Sequence, residues 1–183
     1  MGHNGVAPSR TDAGRMIRRQ PSDPRKTSMP IIEASLYIPA PPEAVWQVVS
    51  DASRAPAWMP DVKERRLISP PPIGPGSQWE DHGLLRGRPF RMTCQVTHWE
   101  PPRHLAYQHV TAEQAGVQWH EHVVLEPQDE GTLVTLRLEY RLLGGFMGRL
   151  YDQLFFRKDF RITLENRLEA LRDLFAPPAQ AGQ

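Results

Sequence analysis

Residues 128–176 contain no proline, although this chain of 183 residues has 19 prolines. Proline interrupts helix interiors and sheet ladders, so a long stretch without it can hold the longest regular element of a fold. Apolar residues between 146 and 175 recur at helical spacing, and Pro177 and Pro178 follow at once. We predict a helix over Phe146–Phe175 that ends the folded part of the chain.

The chain before this helix consists of short β-rich runs separated by proline and glycine signals. The first run, Ile31–Ile38, is followed by a short helix, because prolines are tolerated in a first helical turn. The later runs are Val62–Ser69, Gln78–Leu85, Pro89–Trp99, His104–Thr111, Val117–Glu126 and Thr132–Leu142. Consecutive runs joined by short turns predict an antiparallel meander.

Composition excludes several classes of protein. A mean hydropathy of −0.52 and the lack of any apolar run near the roughly 18 residues of a membrane helix indicate a soluble protein. A net charge of +1 argues against nucleic-acid binding. The single cysteine, Cys94, excludes an internal disulfide and a cysteine-based zinc cluster, and it favours a reducing, cytoplasmic location.

The two ends of the chain differ from its middle. Residues 1–29 hold six basic and two acidic residues and almost no bulky apolar side chains. Such a segment cannot build a core, so we expect a disordered basic tail. The folded domain is expected over 30–176, and 177–183 is expected to be a flexible end.

The predicted last helix carries a leucine stripe that includes Leu154, Leu164 and Leu168, with Arg157 and Arg161 at its middle. A guanidinium on an apolar face must reach solvent, pair with an acid of the sheet or face an anion in a cavity. We therefore treat Leu154, Arg157 and Arg161 as candidate ligand contacts.

Several short motifs occur in a characteristic order. They are Ile-Pro-Ala-Pro-Pro-Glu-Ala-Val-Trp at 38–46, Gly-Pro-Gly-Ser-Gln-Trp at 74–79, Trp-Glu-Pro-Pro-Arg-His-Leu-Ala-Tyr at 99–107 and Gly-Thr-Leu-Val-Thr at 131–135. With the terminal helix, this order resembles the SRPBCC superfamily, also called START-like or Bet v 1-like, and within it the polyketide cyclase/dehydrase-type branch. The resemblance covers about residues 31–175.

This resemblance implies an α+β helix-grip fold, in which a curved antiparallel β-sheet wraps around a long C-terminal helix and leaves an internal cavity for apolar ligands. Members of the superfamily include lipid carriers, hormone receptors and aromatase/cyclases. The matched residues are architectural, so the resemblance transfers no catalytic set to this chain.

Strand alternation identifies the residues that would line such a cavity, since one parity of each strand must face the helix. The odd positions of Val117–Glu126 are the more apolar, and we assign them to the inner face. The hairpin registers then place Tyr107 beside Glu121, Cys94 beside His109, Leu136 beside Glu121 and Leu138 beside Trp119. The candidate ligand contacts on this wall are Trp79, Met92, Cys94, Tyr107, His109, Trp119, Glu121, Leu136, Leu138 and Tyr140.

Glu121 is the most informative of these residues, because a solid apolar core needs no carboxylate. In a desolvated site it would be a candidate general acid or base, whereas an arginine partner would hold it ionised in a structural pair. If the protein is an enzyme, Glu121 and His109 are its candidate catalytic residues. We interpret Cys94 as a buried apolar side chain rather than a nucleophile.

His120 and His122 place two imidazoles on one face of a strand, and Glu126 follows at a spacing similar to that of cupin metal sites. No second histidine motif follows, a long terminal helix does not suit a cupin, and parity puts both histidines on the outer face. We therefore expect no metal and no cofactor, and we keep a metal-dependent enzyme using His120 and His122 only as a remote alternative.

Two function classes remain. The first is a carrier or binding protein for a small hydrophobic ligand that is aromatic, polyketide-like or lipid-like. The alternative is a polyketide cyclase/dehydratase-type enzyme that uses acid–base chemistry in the same cavity. In both cases the expected partner is a small hydrophobic ligand, without nucleic acid or stable membrane insertion, and the expected state is a monomer or homodimer.

Overall fold

The computed structural model describes residues 29–85, 87–110, 117–142 and 156–176. Four of the predictions fall wholly or partly outside these residues. They are the basic tail up to residue 28, the hairpin turn at 112–116, the first part of the last helix with Leu154, and the C-terminal end.

A curved, open antiparallel sheet of seven strands forms the body of the described chain, in the order β1-β7-β6-β5-β4-β3-β2. Most strands form where β-rich runs lie between turn signals, as predicted. Their bounds are β1 Ile31–Ile38, β2 Val62–Leu67, β3 Gln78–Leu85, β4 Arg88–Glu100, β5 His104–His109, β6 Val117–Gln128 and β7 Gly131–Leu142.

Within the described ranges, three α-helices and one short 3-10 helix accompany the sheet. Helix α1 spans Pro42–Val49 and begins with a proline in its first turn, where a missing N–H costs nothing. A 3-10 helix over Ala52–Arg54 leads into α2, Ala55–Trp58. Helix α3, Arg157–Asp173, is the described part of the predicted last helix and packs against β1 and α2. The sheet and its C-terminal helix confirm the predicted helix-grip fold.

The predicted assignment of strand faces is confirmed, because the inner-wall positions of β4 to β7 are buried or half-buried. The predicted register of β6 with β7 was wrong by two residues: Glu121 pairs with Leu138 and Trp119 with Tyr140. The strand continues past its predicted end, through Pro127, to a two-residue turn at Asp129 and Glu130. A shift of two residues preserves the face of every side chain.

No helix in the described ranges combines the length and the apolar character needed to cross a bilayer.

Candidate functional site

A cavity of about 110 Å³ lies between the inner face of the sheet and α3. An adjoining cleft of about 230 Å³ shares Asp61, Leu85 and Phe160 with it. A cavity near 150 Å³ can hold a benzene ring. This cavity is smaller, so a molecule with a ring would extend from it into the adjoining cleft. The described residues that line the cavity are Met59, Asp61, Asp81, Leu85, Phe90, Arg91, Met92, Cys94, Tyr107, His109, Trp119, Glu121, Leu138, Phe160, Leu164 and Arg167.

The structure brings seven of the candidate contacts together on this cavity, namely Met92, Cys94, Tyr107, His109, Trp119, Glu121 and Leu138. Three others are not part of its lining. Leu136 and Tyr140 are buried in the hydrophobic core, and Trp79 packs edge-to-face on Tyr107 with ring centroids 5.0 Å apart. Trp79 therefore contacts the wall residue Tyr107 without lining this cavity itself.

The expectation that Arg157 or Arg161 faces the cavity was wrong, since both are exposed and neither lines it. The core-facing side of α3 begins at Phe156, the residue just before the helix, and continues through the partly buried Phe160 and through Leu164 to Arg167. The predicted stripe was based on leucines and left out Phe156 and Phe160. With these two residues counted, the centre of the apolar face lies away from Arg157 and Arg161, and Arg167 falls within the face.

Arg167 joins two carboxylates at one end of the cavity. Its Nε donates to Asp61 Oδ1 at 2.8 Å, its Nη2 donates to Asp61 Oδ2, and its Nη1 donates to Glu121 Oε1 at 2.8 Å. The side chains of Arg167 and Glu121 are each only 7% exposed. Burial opposes ionisation of Asp61, but the Arg167 guanidinium outweighs it and lowers the pKa of this carboxyl below its usual value. We call these three residues the Arg167 triad.

A glycine allows Asp61 to reach this position. The Asp61 carbonyl accepts a hydrogen bond from the Leu84 N–H at 2.9 Å, which draws the loop after α2 onto β3. A Cβ added at Gly83 would lie 2.0 Å from that carbonyl oxygen. Only glycine permits such a close approach of two backbone segments.

A second buried ion pair lies on the same wall. Arg65 donates to Asp81 through Nε at 2.7 Å and Nη2 at 2.8 Å, and both side chains are 2% exposed. The Arg65 guanidinium also lies 4.5 Å from the centroid of the Trp79 ring, a cation–π distance. Burial disfavours the charge on Arg65, but Asp81 more than compensates and raises its pKa.

The Tyr107 hydroxyl is fully buried at the cavity and has no hydrogen-bond partner within the described part of the chain. Burial, together with the nearby Glu121 charge, raises the pKa of Tyr107 well above its usual value. The hydroxyl therefore stays protonated at neutral pH. It can donate a hydrogen bond to an oxygen of a bound molecule.

His109 and Cys94 occupy paired positions on β5 and β4, as predicted. Burial lowers the pKa of His109, so its imidazole is neutral at neutral pH. Burial, reinforced by Asp81, raises the pKa of the Cys94 thiol, so it is not a thiolate at neutral pH. This agrees with the interpretation of Cys94 as a packing residue.

Asp61, Arg65 and Arg167 were not among the site residues predicted from the sequence. A β-bulge between Val62 and Glu64 turns Arg65 inward, where strict alternation would turn it out. Arg167 had a detectable signal, because it stands between Leu164 and Leu168 on the face that also holds Leu171. Asp61 lies in a loop, and no period of the sequence marks it.

His120 and His122 do not line the cavity. They lie on the outer face of the sheet, and the carboxylate near them is Glu139 of β7 rather than Glu126. A reaction in the cavity therefore cannot use these two histidines.

Several solved protein structures superpose on this chain and have the same fold. A START superfamily protein of Mycobacterium smegmatis superposes with a TM-score of 0.65 at 17% identity, covering 79% of this chain and 96% of that protein. The TTHA0849 protein of Thermus thermophilus superposes at 0.66 with 23% identity, covering 79% and 95% of the two chains. The di-domain ARO/CYC StfQ from the steffimycin biosynthetic pathway superposes at 0.68 with 13% identity, covering 82% of this chain and 52% of that protein.

Sequence comparison identifies a relative of this chain and the family that it matches. An uncharacterized protein of Mycobacterium tuberculosis is 29% identical over 117 residues, which are 64% of this chain and 78% of that protein. The family described as "Polyketide cyclase / dehydrase and lipid transport" matches residues 29–176. The chain therefore belongs to the polyketide cyclase/dehydrase and lipid transport family.

Proposed function

We propose that this protein binds a small hydrophobic ligand, with a ring and at least one oxygen, in the cavity beneath α3 and acts as a carrier or binding protein. The main support for this proposal is the Tyr107 hydroxyl, which is buried without a hydrogen-bond partner among the described residues. Leaving a buried hydroxyl without a partner costs roughly 1–3 kcal/mol, so a ligand oxygen that accepts its hydrogen bond recovers that cost.

The rest of the wall supports a ligand of this kind. Met92, Trp119, Leu138 and Phe160 supply apolar and aromatic contact area. The carboxylates and guanidiniums on the wall are already paired with each other, so they orient polar substituents without adding an uncompensated charge.

Two changes in the cavity test this proposal, with 2-naphthol and the isosteric 2-methylnaphthalene as probes and calorimetric titration as the measurement. Met92→Trp places a larger side chain in the cavity and is expected to weaken binding of both probes at least about tenfold, whereas the volume-conserving Met92→Leu should leave it within about threefold. Tyr107→Phe should weaken 2-naphthol alone, by about 2- to 12-fold, which corresponds to ~0.5–1.5 kcal/mol.

The outcomes separate the two parts of the proposal. An equal loss of affinity for both probes in Tyr107→Phe would show that the Tyr107 hydroxyl does not hydrogen-bond a ligand oxygen. Unchanged binding of both probes in Met92→Trp would place binding elsewhere and end the proposal.

A cyclase/dehydratase-type reaction in the same cavity is the second candidate, and the position of His109 favours it. A neutral imidazole at the cavity can accept a proton from a substrate carbon next to a carbonyl. The cavity wall would hold the poly-β-keto substrate in a folded conformation for this step. Glu121, already paired with Arg167, would stabilise the resulting cation or orient the chain.

For this second candidate, His109→Asn is expected to lower kcat on a poly-β-keto thioester by about 100-fold or more, while the Kd for 2-naphthol stays within about threefold. Activity of the unaltered protein should fall as the pH drops through the lowered pKa of His109, below the usual 6.5. Chromatography of the products measures turnover. Full activity in His109→Asn would exclude this histidine as the base.

A further inference from the structure

Four of the seven histidines lie together on the outer face of the sheet, opposite the cavity. They are His98 on β4, His104 on β5, and His120 and His122 on β6. Glu139 of β7 is the direct cross-strand neighbour of His120. We call this group the outer histidine cluster, and neither proposed function uses it.

Three members of the cluster can provide metal ligands at one point. His120, His122 and Glu139 each offer one ligand atom, and these atoms lie within 4.8 Å of one another. A zinc ion at 2.0–2.2 Å from each ligand would hold the atoms about 3.4 Å apart in a tetrahedron. All three side chains are half-buried, so small rotations bring them to this spacing.

Hydrogen bonds already orient both imidazoles. His120 Nε2 lies 2.6 Å from Thr97 Oγ1, and His122 Nδ1 lies 3.0 Å from His104 Nε2. When each ring donates in these bonds, its other nitrogen has a free lone pair, as in histidines that bind metals. His122 Nε2 is that second nitrogen, and it is buried without a partner among the described residues.

We propose that His120, His122 and Glu139 bind a divalent transition-metal ion of the Zn²⁺ type, with Thr97 and His104 as positioning residues. Two imidazoles and one carboxylate are the protein ligands of several zinc sites that leave a fourth position open to water.

One nearby cation opposes this binding. Arg137 Nη2 donates to Glu139 Oε1 at 2.7 Å, so it competes for the carboxylate and repels an incoming ion. Arg137→Gln is therefore expected to tighten metal binding by about three- to tenfold. A purely structural cluster would show no such gain.

The test is calorimetric titration of the full-length protein with Zn²⁺, alongside visible absorption with Co²⁺ to report tetrahedral coordination. One ion per chain is expected. His122→Ala and the near-isosteric Glu139→Gln should each weaken Zn²⁺ binding at least about tenfold, and Thr97→Val should weaken it less. His82→Ala, which changes a histidine of β3 that hydrogen-bonds Glu80 instead of the cluster, is the matched control and should bind like the unaltered protein.

Circular dichroism of each variant checks that it is folded, and Glu139→Gln carries the test if His122→Ala unfolds. Absence of saturable Zn²⁺ binding would overturn the proposal. So would equal affinity in Glu139→Gln and the unaltered protein, or a loss of binding in His82→Ala as large as that in the cluster variants.

Discussion

Replacing Arg167 with methionine is expected to lower the free energy of unfolding at pH 7 by about 3–5 kcal/mol, as measured by urea denaturation. The variant removes the only guanidinium that hydrogen-bonds Asp61 and Glu121 among the described residues, and it leaves both carboxylates largely buried. An uncompensated buried charge costs more than the intact pair contributes.

The dependence of this loss on pH identifies its cause. In the unaltered protein the folded-state pKa of Asp61 lies below its usual value of 3.8, so the triad's contribution is complete above that value and is lost as the pH falls through the folded-state pKa. Without Arg167, burial raises the pKa of Asp61. Protonation of this carboxyl then removes the cost of burying its charge. The difference in stability should therefore shrink between pH 7 and about pH 4.

Two further variants control this experiment. Arg172→Met, on the same helix but in an exposed ion pair with Asp173, should leave stability unchanged within error. Adding Asp61→Asn and Glu121→Gln to Arg167→Met should recover most of the loss. A single variant that loses less than about 1 kcal/mol would mean that water enters and solvates the carboxylates.

Replacing Asp81 with alanine is expected to cost a similar amount, about 3–5 kcal/mol, because it leaves the Arg65 guanidinium buried without its bidentate partner. The Trp79 ring near Arg65 offsets only part of this cost. Urea denaturation with an unchanged slope would show that the native state, rather than the unfolded ensemble, is affected.

The neighbouring residues of β2 provide the matched control for Asp81→Ala. Glu64 and Arg66 form an ion pair of similar length, 2.9 Å, but their side chains are 53% and 66% exposed. Glu64→Ala should therefore leave the unfolding midpoint unchanged within error. Equal losses in Glu64→Ala and Asp81→Ala would show that burial does not determine the cost of breaking these pairs.

Much of the fold was predictable from the sequence, because its signals are local and redundant. Ile31–Ile38 and Gln78–Leu85 are bounded by proline and glycine signals and match the observed strands at both ends. Alternation assigned the inner face of β6 correctly, and it does not depend on knowing the exact register. Glu121 stands out for the same reason, as a carboxylate among inward apolar side chains.

The partners of the polar residues could not be predicted in the same way. Arg65 faces inward only because a bulge interrupts the alternation of β2, and no residue type in that strand signals a bulge. Arg167 meets Asp61 across 106 residues of sequence, a contact that the tertiary fold determines. Likewise, Glu139 lies opposite His120 because of the register between β6 and β7. The register predicted from the sequence differed from this one by two residues.

The pairing of the first strand with the last has a consequence for biosynthesis. Ser35 of β1 hydrogen-bonds Thr135 of β7 at 2.8 Å, although 100 residues separate them. At a ribosomal rate of roughly 5–20 residues per second, β1 waits about 5–20 s for its partner. During that interval Ile32 and Ile38, buried in the finished domain, have no sheet to join. The nascent chain thus presents an unpaired apolar strand that chaperones can hold until β7 has been synthesised.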